Sequence, residues 1–184
     1  MSNTKKKVLI LGYSSIVKRR VLPALKKIKK FRFEICSVSS SRQYIGESKW
    51  YRNYSKALDS SDSEIVYISL PNSEHFKWAR KALLEGFHVI IDKPATLNFK
   101  QAKNLVKLAR KKKRLLSEAV VFDYHHQINK AIKEINSLKN LTHVHARFVI
   151  PKFPKKNFHN FKKYGGGCLL DMSPYAAAVF RIFI

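Results

Sequence analysis

The chain has 184 residues, room for one full domain and part of a second, and its 45% hydrophobic content is enough for a packed core. Its formal charge of +25, from 37 Lys+Arg against 12 Asp+Glu, points to an anionic partner or an anion-attracting field around a site. The cations are mostly lysines on helix-like segments such as KKIKKFR (26–32) and ARKKKR (109–114), which also read as solvated faces and lack the arginine-rich or aromatic interleaving of a nucleic-acid reader.

The start, MSNTKKKVLILGY, superficially resembles a secretory leader, but its apolar run breaks at Gly12 and no small-residue cleavage site follows. No run reaches the roughly 20 apolar residues of a membrane span. Cys36 and Cys168 have neither metal-site nor disulfide-framework spacing. A cytoplasmic protein is expected.

KVLILG is a short, wholly apolar run, as in a parallel strand buried on both faces. A helix is expected over 15–30, with Ile16, Val17, Val21, Leu25 and Ile28 on one face. FEICSVS (33–39) and EIVYISLP (64–71) read as the second and third strands. SEHFKWARKALLEG (73–86) reads as a helix with Ser73 as N-cap and Gly86 as its C-terminal glycine. HVIID (88–92) is a fourth strand, 98–113 a helix capped by Asn98, and RLLSEAVV (114–121) a fifth strand. This alternation predicts an α/β fold, a Rossmann-type doubly wound parallel sheet with right-handed crossovers. Beyond a boundary near residue 122 the pattern changes. A helix over 123–138, an alternating strand THVHARFVI (142–150), a basic loop (151–164) and a final apolar helix suggest the beginning of an α+β substrate domain.

In a doubly wound fold a dinucleotide lies across the carboxyl ends of the strands, and the first turn carries G-x-G-x-x-G. Here the turn is GYSSIV, with Gly12 present but Ser14 and Val17 at the other two glycine positions. Ser14, Ser15 and Ile16 would bring a hydroxyl and helix-terminal N–H groups to a phosphate, although a plain strand-to-helix turn reads the same way. After the second strand stands SSSR (39–42), with no acid before Glu47. Ser40, Ser41 and Arg42 suit a 2′-phosphate and favour NADP, with NAD as the other option; a polar surface loop is the plain alternative.

The segment YISLPNSEHFKWARKALLEGFHVIIDKPAT (67–96), behind the glycine turn and ahead of GGGCLLDMSPY (165–175), resembles the glucose-fructose oxidoreductase / inositol dehydrogenase / rhizopine-catabolism (Gfo/Idh/MocA) family. The family's Glu-Lys-Pro stands here as Asp92-Lys93-Pro94. The resemblance implies an NAD(P)-dependent oxidoreductase acting on a sugar, nucleotide-sugar or cyclitol. It implies that Leu70, Pro71, Asn72, His75, Asp92, Lys93 and Glu118 line the cofactor site. It also implies that Lys93 touches the reacting oxygen and that the bond before Pro94 is cis. A cation at Lys93 would stabilise the developing alkoxide charge, though a lysine at a strand end is often simply solvated.

In the family the glycine motif opens a helix of the second domain, with Asp171 and Tyr175 as substrate and acid–base residues. Tyrosine instead of the commoner histidine is similar to the glucose-fructose type. At i and i+4 the two share a face, unless Ser173 is an N-cap with Pro174 at N1, in which case Asp171 lies outside the helix. His125 matches a family histidine. His126, adjacent on the helix, faces elsewhere, so no metal site is assigned. Relative to the family the chain reads as truncated, with residues 123–184 only beginning the substrate domain. Self-association, into a homo-oligomer or otherwise, or an unstructured tail after about residue 122, is therefore expected. A non-catalytic nucleotide-binding remnant or partner subunit, and a basic nucleic-acid-binding protein, are the competing readings.

Overall fold

The computed structural model describes residues 5–39, 48–138 and 140–183. They fall into two compact units, Met1–Glu118 and Ala119–Ile184.

The first unit is built on a six-stranded sheet in the order β3-β2-β1-β4-β5-β6. The strands are β1 Lys6–Leu11, β2 Phe31–Cys36, β3 Trp50–Tyr51, β4 Ile65–Ile68, β5 His88–Asp92 and β6 Leu116–Ala119. The registers from β3 through β5 are parallel. Val8 to Leu11 are all buried, because helices cover both faces of a parallel sheet. The core joins Leu9, Leu11, Val66, Ile68, Val89 and Ile91 of the sheet to Ala79 and Leu83 of α3 (Asn72–Leu84) and Leu105 of α4 (Phe99–Lys112).

The first helix differs from the sequence expectation in its phase. Val17–Val21 forms a π-helical turn, closed by the Leu22 N–H donating to the Val17 carbonyl, and continues as α1, Leu22–Lys27. Side chains five apart share a face in a π turn, so Val17 and Leu22 are buried while Ile16 and Ile28 stay exposed. The N-cap of α3 is Pro71 rather than Ser73, whereas Asn98 caps α4 as expected, accepting from the Gln101 N–H at 3.0 Å. Strand β3 and helix α2 (Tyr54–Ser60), capped by Asn53 accepting from the Lys56 N–H at 3.0 Å, were not read from the sequence.

The second unit holds α5 (His126–Asn136) and α6 (Cys168–Phe183), so it is not an unstructured tail. Residues 141–150 form no strand, contrary to the alternating pattern of THVHARFVI. A strand needs a neighbour to take its N–H and C=O groups, and no strand pairs with it among the described residues. Among the described residues no helix is long and apolar enough to cross a membrane.

Candidate functional site

In the sheet order the chain reverses direction between β1 and β4, and the turns after these strands meet at the carboxyl edge. Gly12 ends β1 with φ +100°, and its N–H donates to the Cys36 carbonyl at 2.8 Å. A Cβ there would lie 2.1 Å from the Ser69 carbonyl oxygen and 2.9 Å from the Leu70 side chain. Only glycine lets the two turns close to this distance. The Ser15 and Ile16 N–H groups begin the following helix without an acceptor among the described residues.

Ser14 is committed within the protein. Its Oγ accepts from the Val17 N–H at 3.1 Å and lies 2.7 Å from Ser69 Oγ. Ser69 donates its single hydroxyl proton to Asp92 Oδ2 at 2.5 Å, so Ser14 is the donor to Ser69. The Tyr67 hydroxyl donates to the other Asp92 oxygen. Asp92 is thus the terminal acceptor of a chain across β1, β4 and β5, with both oxygens engaged by hydroxyls. Burial first, and then the Asp92 charge, push the Tyr67 phenol well up, keeping it a donor.

Lys93 and Pro94, joined by a cis bond, form the bend after β5, with Lys93 half-buried. The Pro94–Ala95 peptide is held at both polar ends: Glu118 Oε1 accepts the Ala95 N–H at 2.7 Å, and His75 Nδ1 lies 2.8 Å from the Pro94 oxygen. His75 Nε2 lies 2.8 Å from the Leu70 carbonyl. Ser14, His75, Asp92 and Glu118, all assigned by resemblance or spacing to the cofactor, therefore direct these polar atoms to protein partners. Pro71 begins α3, and Asn72 is buried in its first turn. Ser41 and Arg42, with Ser40, lie outside the described residues.

In the second unit Pro174 lies inside α6, so Asp171 and Tyr175 both belong to the helix and Ser173 is not its N-cap. Asp171, 3% exposed, lies with Oδ1 2.7 Å from His159 Nδ1. Tyr175 packs on Phe122 and Phe148, with ring centroids 5.5 and 5.4 Å away. The glycines explain how His159 reaches Asp171: a Cβ on Gly166 would lie 2.3 Å from the His159 carbonyl oxygen, which accepts the Gly167 N–H at 2.9 Å. The sequence reading missed His159. The i, i+4 spacing gave Asp171 a helical partner and hid the loop residue twelve positions earlier. His125 caps α5, accepting from the Gln127 N–H at 3.2 Å. Among the described residues no group of His, Cys, Asp and Glu could hold a metal ion.

A parallel sheet in this order, with a glycine-tight first turn at its reversal point, defines a Rossmann-type domain. Residues 6–120 match the family model described as "Oxidoreductase family, NAD-binding Rossmann fold", and the chain belongs to this Gfo/Idh/MocA family. It is 32% identical, over 95% of its length and 55% of the relative's, to dTDP-3,4-didehydro-2,6-dideoxy-alpha-D-glucose 3-reductase of Saccharopolyspora spinosa. It is 26% identical to D-xylose 1-dehydrogenase (NADP(+)) 2 of Haloferax volcanii, over 95% of this chain and 56% of that one. A 3-ketoreductase from Actinomadura kijaniata, solved with NADP and TDP-benzene, superposes with a TM-score of 0.83 at 27% identity, covering 97% of this chain and 57% of that one. The chain spans about half the length of the curated relatives it matches.

Proposed function

We propose that this chain is the cofactor-binding part, and the beginning of the substrate part, of an NADP-dependent reductase acting on a keto group of a nucleotide-linked sugar. The observation that carries the reading is the Gly12 turn, which excludes any side chain at the reversal point of the sheet and leads into the Ser15 and Ile16 N–H groups, which have no acceptor among the described residues. Those residues fit a dinucleotide: Gly12 supplies the close approach, and the N–H groups of Ser15 and Ile16 supply phosphate donors. Arg42 answers the 2′-phosphate by charge, with Ser41 beside it in sequence, and the names of the relatives support NADP and a nucleotide-sugar. When bound, the cofactor supplies the hydride.

Lys93 polarises the reacting oxygen as negative charge grows on it, a role for which a cation on the bend after β5 is suited. Tyr175 delivers the proton, and Asp171, with Oδ1 2.7 Å from His159 Nδ1, binds or orients the substrate. The charge of +25 favours two phosphate-bearing ligands over a neutral sugar, since both gain from an attractive field. The protein acts in the cytoplasm as a homo-oligomer, a placement supported by two free cysteines.

The test is NADPH-dependent reduction of a dTDP-linked keto-deoxysugar by the catalytically complete protein. Lys93→Met is expected to keep NADPH binding and melting temperature but to lose turnover by a factor on the order of 100 or more. Turnover within a few-fold of the unmutated enzyme would return Lys93 to the solvated surface.

A further inference from the structure

The geometry points to His75 as the residue that positions the Lys93 bend, acting through the single peptide unit that follows Pro94. His75 has no exposed surface, and its two ring nitrogens each lie 2.8 Å from a carbonyl oxygen, that of Pro94 and that of Leu70. Carbonyl oxygens only accept. Both contacts are therefore hydrogen bonds when the ring carries a proton on each nitrogen, whereas a ring with one proton turns a lone pair toward the second oxygen.

The two carbonyls belong to the bends that follow β4 and β5, neighbouring strands of the sheet. Leu70 is also the residue whose side chain crowds the missing Cβ of Gly12. The imidazole is thus a strut across the carboxyl edge, fixing the Lys93–Pro94 bend against the turn that abuts Gly12. Glu118 grips the other end of the same peptide, at the Ala95 N–H, but from an exposed position. Water can replace an exposed acceptor, while a buried carbonyl that loses its donor stays unsatisfied. His75 is the member that sets the position. Its α3 backbone anchors it, since Asn72, Ala79 and Leu83 of the same helix are buried.

This inference rests on the reading that Lys93 works beside the nicotinamide. Two measurements on the 184-residue chain test it. The first is NMR of the chain labelled with 15N-histidine, the His75 ring being identified by its disappearance in His75→Gln. A ring proton protected from exchange by the Pro94 and Leu70 oxygens is expected; a His75 ring whose N–H exchanges as freely as that of an exposed histidine overturns the strut. The second compares the affinities of NADPH and of 2′,5′-ADP, which lacks the nicotinamide half. His75→Gln, which can still donate to one carbonyl, should weaken NADPH about tenfold while leaving 2′,5′-ADP within about twofold, and His75→Phe should weaken NADPH further. An equal loss for both ligands, or none for NADPH, overturns the positioning role. If the unmutated chain binds neither ligand the cofactor reading fails, and the ring-proton measurement alone decides the strut.

Discussion

Replacing Gly12 with alanine separates two demands made at one position, backbone conformation and space. Gly12 and Gly86 have similar dihedrals, φ +100° and +90°. Forcing a side chain into positive φ costs about 1–2 kcal/mol, so both Gly→Ala changes carry that cost. They differ in what the new methyl meets. At Gly86 the nearest atom is a guanidinium nitrogen of Arg114 at 3.7 Å, an ordinary contact. At Gly12 it is the Ser69 carbonyl oxygen at 2.1 Å, well inside the 3.0 Å below which the backbone must shift. Opening the β1 and β4 turns adds a strain of about 1–3 kcal/mol, as in overpacked cores. Gly12→Ala should therefore lose about 2–5 kcal/mol against about 1–2 for Gly86→Ala. Urea unfolding of both variants, with the slope compared to confirm a common transition, measures the difference. Equal losses would refute the close approach, and a smaller loss at Gly12 would refute the description of the phosphate turn.

Burial pushes the Cys36 thiol from 9.0 up to about 12. A raised acid favours the protonated native state, so its contribution to stability is complete below pH 9 and is lost as pH rises from 9 toward 12. Cys36→Ala should flatten that alkaline decline in urea titrations, and a thiol reagent near neutral pH should modify the exposed Cys168 but not Cys36 until the chain unfolds. Gly166→Ala should release the His159 loop, exposing the Phe153–His159 stack (4.5 Å) to faster hydrogen exchange without changing protection in β1 or β4. Tyr175→Phe in the catalytically complete enzyme should slow turnover on the order of tenfold to a hundredfold at unchanged NADPH affinity, read in steady-state kinetics.

The sheet was legible because Val8–Leu11, all of β4 and Val89–Ile91 of β5 are unbroken apolar runs, the mark of a buried parallel sheet. Strand β3 was not, since two residues present no period. The π turn was hidden because Val21 fits the 3.6-residue face as well as Leu22 does, and only the fold selects Leu22. At the site, sequence position identified the bends but not which atoms their side chains serve. Asp92 and His75 stand where the family motif puts them, yet the hydroxyls of Tyr67 and Ser69 and the carbonyls of Leu70 and Pro94 take their polar atoms. Such partners come from other strands and turns, so no local pattern announces them. The 142–150 segment is the reverse case: its alternation is clear, but alternation describes a strand's faces and not the presence of a neighbour.

The most direct test of the central claim is titration of the purified 184-residue chain with NADPH and NADH, followed by nicotinamide fluorescence. Saturable one-site binding is expected, tighter for NADPH, with the gap narrowing as salt screens the 2′-phosphate and closing in Arg42→Asp. Equal affinities would contradict the choice of NADP, and an absence of saturable binding by either dinucleotide would contradict the account as a whole.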